Sequence, residues 1–62
     1  MGMTPQQFRR LREKMGLTQS KFGTLLGIDK MSVWRKENGQ RPITRRDIVI
    51  LAPLLRKYGG GK

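Results

Sequence analysis

The chain predicts an all-α domain on three observations. One helix-start pattern recurs four times, a glycine follows each candidate helix, and no alternating strand pattern is present. The start pattern is an apolar residue, then a capping residue, then an apolar residue four positions after the cap. It stands at Met3-Thr4…Phe8, Leu17-Thr18…Phe22, Ile28-Asp29…Val33 and Ile43-Thr44…Ile48. In each, the Thr or Asp oxygen suits an orphan backbone N–H of the first turn, and the apolar pair packs as a staple across the helix entrance.

Taken in order, the first helix spans about 5–15 and carries Pro5 at its first position, where a missing N–H costs nothing. Gln7 completes a capping box there, and Gly16 ends the helix. The second, 18–26, stops at Gly27, and the third, 29–38, at Gly39. The fourth, 45–58, has Asp47 at the box position, where a carboxylate favours the positive helix end, and Gly59 behind it. Pro53 lies inside this helix, lacks an N–H and clashes with the preceding turn, so a kink near Ala52 or a break into two short helices is expected. Residues 59–62 read as a flexible tail, and 1–62 as a single domain.

Composition narrows the function. The 62 residues contain no Cys and no His, and the four acids are scattered singly. Metal sites, nucleophile–histidine pairs and hence enzymatic chemistry are not expected, and no cofactor or small-molecule ligand is implied. Fourteen Lys and Arg give a net charge of +10 and a pI near 11.6. Such an imbalance self-repels in a compact domain and points to a polyanion, nucleic acid ahead of an anionic membrane surface. Four capped helices with internal glycines argue against a membrane-active peptide. With no apolar run of spanning length and no signal-peptide pattern, a cytoplasmic location is expected.

The decisive spacing lies between the second and third helices. Only Gly27 and Ile28 separate Leu26 from the cap Asp29, so the two helices must turn sharply and cross. Gly23, on the inner face of the second helix, leaves room for that crossing. A short turn, a small residue at the crossing and a strongly basic chain together predict a helix-turn-helix unit over 18–38.

From Leu17 to Pro42 the chain reads LTQSKFGTLLGIDKMSVWRKENGQRP. With helices 1 and 4 included, the likeness covers residues 4–55. It resembles the Cro and repressor family of lambdoid phages, also called the XRE-type helix-turn-helix family, through Leu17-Thr18-Gln19, Gly23, Leu26-Gly27-Ile28, Asp29, Val33, Glu37-Asn38-Gly39 and Arg41-Pro42. The resemblance implies a compact four- to five-helix, lambda-repressor-like domain that binds operator DNA as a dimer. It implies that Gln19 holds a phosphate, and that helix 3 presents Lys30, Met31, Ser32 and Arg35 to base edges. Asn38, Arg41 and the start of helix 4 match phosphate-contacting segments, and Arg12 and Glu37 match a salt bridge between helices 1 and 3. The chain departs from the family at Lys36, where an apolar residue or tryptophan is usual, and at Trp34. We expect Lys36 to lay its methylene stem over the core edge with its ammonium in solvent. Trp34 then faces outward, packing on its own domain or reaching DNA backbone.

The residues support parts of this directly. With Ile28 and Val33 inward, residues 31, 34, 35 and 38 rotate away from the core at about 100° each. Arg35 and Lys30 then suit guanine O6 and N7, and Met31 a thymine methyl. Gln19, Ser20 and the free N–H groups of helix 2 make an anion site. Arg41, Arg45 and Arg46 crowd the start of helix 4 against its dipole, a conflict that phosphate would relieve. The expected core is Phe8, Leu11, Leu17, Phe22, Leu25, Leu26, Ile28, Val33, Ile43, Ile48, Leu51 and Leu55. Helix 4 carries further apolar side chains at Val49, Ile50, Pro53, Leu54 and Tyr58. Either the kink folds some of them back or a second subunit covers them, and a dimer interface at Ile50, Pro53 and Leu54 is expected. The leading reading is a repressor of phage or mobile-element type acting as a homodimer on double-stranded DNA. An antitoxin-like module that chiefly binds a partner protein is the alternative.

Overall fold

Thr4, Thr18, Asp29 and Thr44 all stand in extended backbone, and each side chain accepts the N–H of the residue three positions on. Thr4 with Gln7 and Thr44 with Asp47 close complete capping boxes. The helices these caps open, in a computed structural model that describes residues 2–59, are α1 Pro5–Lys14, α2 Gln19–Leu26, α3 Lys30–Glu37 and α4 Arg45–Leu54. A π-helical turn, Leu55–Gly59, follows α4, and no strand occurs among the described residues. Residues 60–62 of the expected tail lie outside the described residues.

The first three helices stop the same way. Gly16, Gly27 and Gly39 take φ of +69°, +75° and +74°. The next residue's N–H then reaches back five positions, as Leu17 does to Arg12, Ile28 to Gly23 and Gln40 to Arg35. Gly59 instead lies within the π-helical turn. Pro53 neither breaks α4 nor ends it. Backbone angles remain helical at Leu55 (φ −63°, ψ −40°), and the helix widens into the π-helical turn.

Phe8, Leu11, Phe22, Leu26, Val33 and Leu51 form the fully buried core, drawing on all four helices. Phe8 and Phe22 meet edge to face with ring centroids 5.1 Å apart. Met3, Met15, Leu17, Ile28, Ile43 and Leu55 close the periphery. Leu25 is outside it at 40% exposure, because Phe22 and Leu26 already define the inward face of α2. Gly23 is the contact point of the crossing: a Cβ there would stand 2.5 Å from the Ile28 carbonyl oxygen and 3.3 Å from Asp29 backbone atoms.

One expectation for the α3–α4 side is corrected. Lys36 is buried, and its ammonium is not in solvent but against the equally buried Asp47 carboxylate. Lys36 follows Val33 by three residues and so shares its inward face, and a charge placed there needs a partner. Ile50 and Leu54 pack partly buried against the core of their own domain, beside Leu51. Part of their surface is thus folded back onto their own domain, and part remains outside it. Val49, 63% exposed, and Pro53 face outward.

Candidate nucleic-acid interface

The eight residues of α3 divide into two faces. Val33, Lys36 and Glu37 share one side at helical spacing, and Met31, Arg35 and Asn38 share the opposite one. Trp34 and Lys30 lie on the flank nearest α2. The inner side is tied at both ends. Asp29 caps the N-terminus, its Oδ1 accepting the Ser32 N–H at 3.1 Å. At the C-terminus, Arg12 of α1 donates from Nε to Glu37 Oε2 at 2.6 Å and from Nη2 to Oε1 at 3.3 Å. Glu37 is nearly sequestered, its side chain 3% exposed against 14% for Arg12.

Gln19 joins this cluster through Nε2, which donates to Glu37 Oε1 at 3.1 Å. One amide hydrogen is thus committed inside the domain, a role that the family resemblance did not suggest. What α2 offers an anion is chiefly its first-turn backbone N–H groups and the exposed Ser20. Asn38 likewise turns its amide back to the Trp34 carbonyl at 2.8 Å, capping its own helix.

On the outer side, Gln19, Asp29, Lys30, Met31 and Trp34 line one open cleft of about 600 Å³ between the starts of α2 and α3. Met31 is 51% and Trp34 41% exposed, so Trp34 sits on the surface rather than in the core. Lys30 is exposed and Ser32 and Arg35 are half-buried. The structure therefore gathers Gln19, Lys30, Met31 and Trp34 at one place, with Arg35 on the same outer side.

Arg41 and Arg45 are exposed around the cap of α4. Arg46, expected to hold phosphate with them, is turned elsewhere: its Nη1 donates to the Leu26 carbonyl at 2.9 Å, at the C-terminal end of α2. The dipole conflict expected at the start of α4 is relieved for this residue by the carbonyl end of a neighbouring helix.

The acidic residues explain where positive charge is left over. Glu13 pairs with Arg9, Glu37 with Arg12 and Asp47 with Lys36, while Asp29 caps α3. The Ser32 hydroxyl and backbone N–H hold the Asp29 carboxyl below its ordinary 3.8. For Asp47 burial pushes upward, but the Lys36 ammonium and the Thr44 N–H outweigh it, and the carboxyl lies below 3.8 as well. Among the described residues no carboxylate pairs with Lys30, Arg35, Arg41 or Arg45. The Lys36–Asp47 pair and the Gln19–Glu37 link are not legible in the sequence. Lys36 at core spacing after Val33 is a visible signal, but nothing in the chain names the partner eleven residues away.

Residues 6–58 match the family model of a helix-turn-helix domain. No curated protein and no solved structure matches the chain. No helix among the described residues is long and apolar enough to cross a membrane.

Proposed function

Since the chain belongs to this helix-turn-helix domain family, we propose that it is a sequence-specific regulator that lays α3 in the major groove of double-stranded DNA. The observation that carries this reading is the disposition of charge on α3. Its carboxylates are spent on the inner ties and the cap, and its outer side keeps Lys30 and Arg35 without ion pairs. Lys30, Met31, Ser32 and Arg35 are assigned to base edges. Ser20, Arg41 and Arg45 are assigned to phosphate, with Gln19 acting through its backbone N–H and Asn38 and Arg46 in subordinate positions, while Trp34, first expected at the DNA backbone, walls the cleft beside Met31.

The likeness to XRE-type repressors supports a repressor acting as a homodimer on an inverted repeat, without catalysis or cofactor. The dimer surface is then the side of α4 that carries Pro53 and the part of Ile50 and Leu54 left outside the core, together with the exposed Val49. Selection from a random DNA pool, followed by sedimentation of the complex, tests both points. Recovery of a palindrome with half-sites about one helical turn apart is expected. Equal binding to all sequences overturns the specific reading, and a monomer on a single half-site overturns the dimer.

A further inference from the structure

Resting on the DNA-binding reading above, we propose that Met31 and Trp34 form a slot for the C5-methyl group of a thymine, so that the protein distinguishes thymine from uracil at that position. The two are the large apolar side chains that α3 leaves outside the core, 51% and 41% exposed. A spacing of three places them side by side on the helix surface. They wall the same cleft, whose rim is made by Gln19, Asp29 and Lys30.

The chemistry of that rim selects a base edge over a phosphate. An ionised Asp29 in the cleft repels a phosphate oxygen, and Gln19 is already held by Glu37. Lys30 supplies a donor beside the apolar walls. Thymine presents the matching pair in the major groove, an O4 acceptor next to the C5-methyl, whereas uracil lacks the methyl. The unneutralised cations of the outer face of α3 bring the duplex to this cleft, and the apolar walls then read one feature of it.

The test uses the full chain and a preferred sequence selected from a thymine-containing random pool. Each thymine of that sequence is replaced in turn by deoxyuridine, which removes the methyl and leaves base pairing intact. At one thymine per half-site, affinity is expected to fall about four-fold, the effect of losing one buried methyl. The same replacement in Met31→Ala and Trp34→Ala proteins is expected to have less effect. Both side chains are exposed, and circular dichroism checks that the variants fold. Unchanged affinity at every deoxyuridine position overturns the proposal, as does a deoxyuridine penalty of equal size in wild type and both variants. Failure to recover any preferred sequence removes the sequence-specific DNA reading on which the slot rests; a recovered sequence indifferent to deoxyuridine removes only the methyl slot.

Discussion

The two faces of α3 differ in what they are joined to. On the inner face each residue has a partner from another helix: Val33 lies in the core, Lys36 meets Asp47 of α4, and Glu37 meets Arg12 of α1 and Gln19 of α2. On the outer face and its flank Lys30, Met31, Trp34 and Arg35 have no ion pair, and all but the half-buried Arg35 are exposed. An isolated eight-residue helix is unstable in water. Its orientation here comes from the inner ties, and the outer side chains are free to differ without touching the fold. A separation of effects follows: inner-face variants lose stability, and outer-face variants lose DNA recognition.

The strongest way to break this is at the buried pair. Asp47→Ala leaves the Lys36 ammonium buried without a carboxylate and removes half of the α4 capping box. A cost of about 3–5 kcal/mol is expected, enough to unfold much of so small a domain. Thermal melts followed by circular dichroism measure it, and a melt unchanged from wild type would show the pair to be idle. Replacing both partners, Lys36→Met with Asp47→Leu, should cost far less, since no charge is left stranded. The same group sets an acid limit. Its folded carboxyl lies below 3.8, so its contribution is complete above the ordinary carboxylate range and is lost as pH falls through the lower folded value. Asp29 acts with the same sign. Acid unfolding is therefore expected below about pH 4, with a shallower limb in Asp47→Asn.

Next in size is the crossing that pins the start of α3. Gly23→Ala sets a Cβ 2.5 Å from the Ile28 carbonyl oxygen, a backbone atom that cannot swing aside. Separating α2 from α3 to make room is expected to cost about 1–3 kcal/mol. Melting at the wild-type temperature would mean that the crossing yields. Glu37→Ala tests the other end of the inner face and is expected to cost no more than that, at about 1–2 kcal/mol. Arg12 is spared part of the loss, since its Nη1 still donates to the Leu17 carbonyl at 3.0 Å and it retains some access to water.

The same division governs what is legible in the sequence. Helix starts and stops are local: a Thr or Asp with its staple, and a glycine able to take positive φ, stand within five residues of what they control. All four caps and the sharp α2–α3 turn are readable for that reason. Pairings between helices are not local. Lys36 reads as a snorkelling side chain because Asp47 is already accounted for as a capping residue, and nothing in the chain shows that it serves both. Arg46 reads as one of three equivalent arginines until the C-terminus of α2 comes to lie beside it. The stripe of α4 leaves two outcomes open at Ile50 and Leu54, because a helix apolar on most sides does not reveal which side is inward; both pack partly against their own core.

The smallest stability effects, and the sharpest test of the separation, lie on the outer face. Arg35→Ala removes a guanidinium that has no ion pair, so stability should move by less than about 0.5 kcal/mol. Its DNA effect should be larger. From the outer side of α3 it offers a fork to one guanine, so affinity for the preferred sequence should fall by about 1–3 kcal/mol while preference relaxes at one base pair per half-site. Arg45→Ala, at the exposed start of α4, should instead weaken preferred and scrambled DNA alike. Its log–log salt slope should be shallower by about one for each phosphate it no longer neutralises. Binding curves for both variants on both DNAs at several salt concentrations separate these outcomes. If Arg35→Ala melts well below wild type, its half-buried side chain belongs to the inner scaffold and the two faces are not independent. If it binds both DNAs equally poorly while Arg45→Ala shifts base preference, α4 rather than α3 is the element that reads the groove.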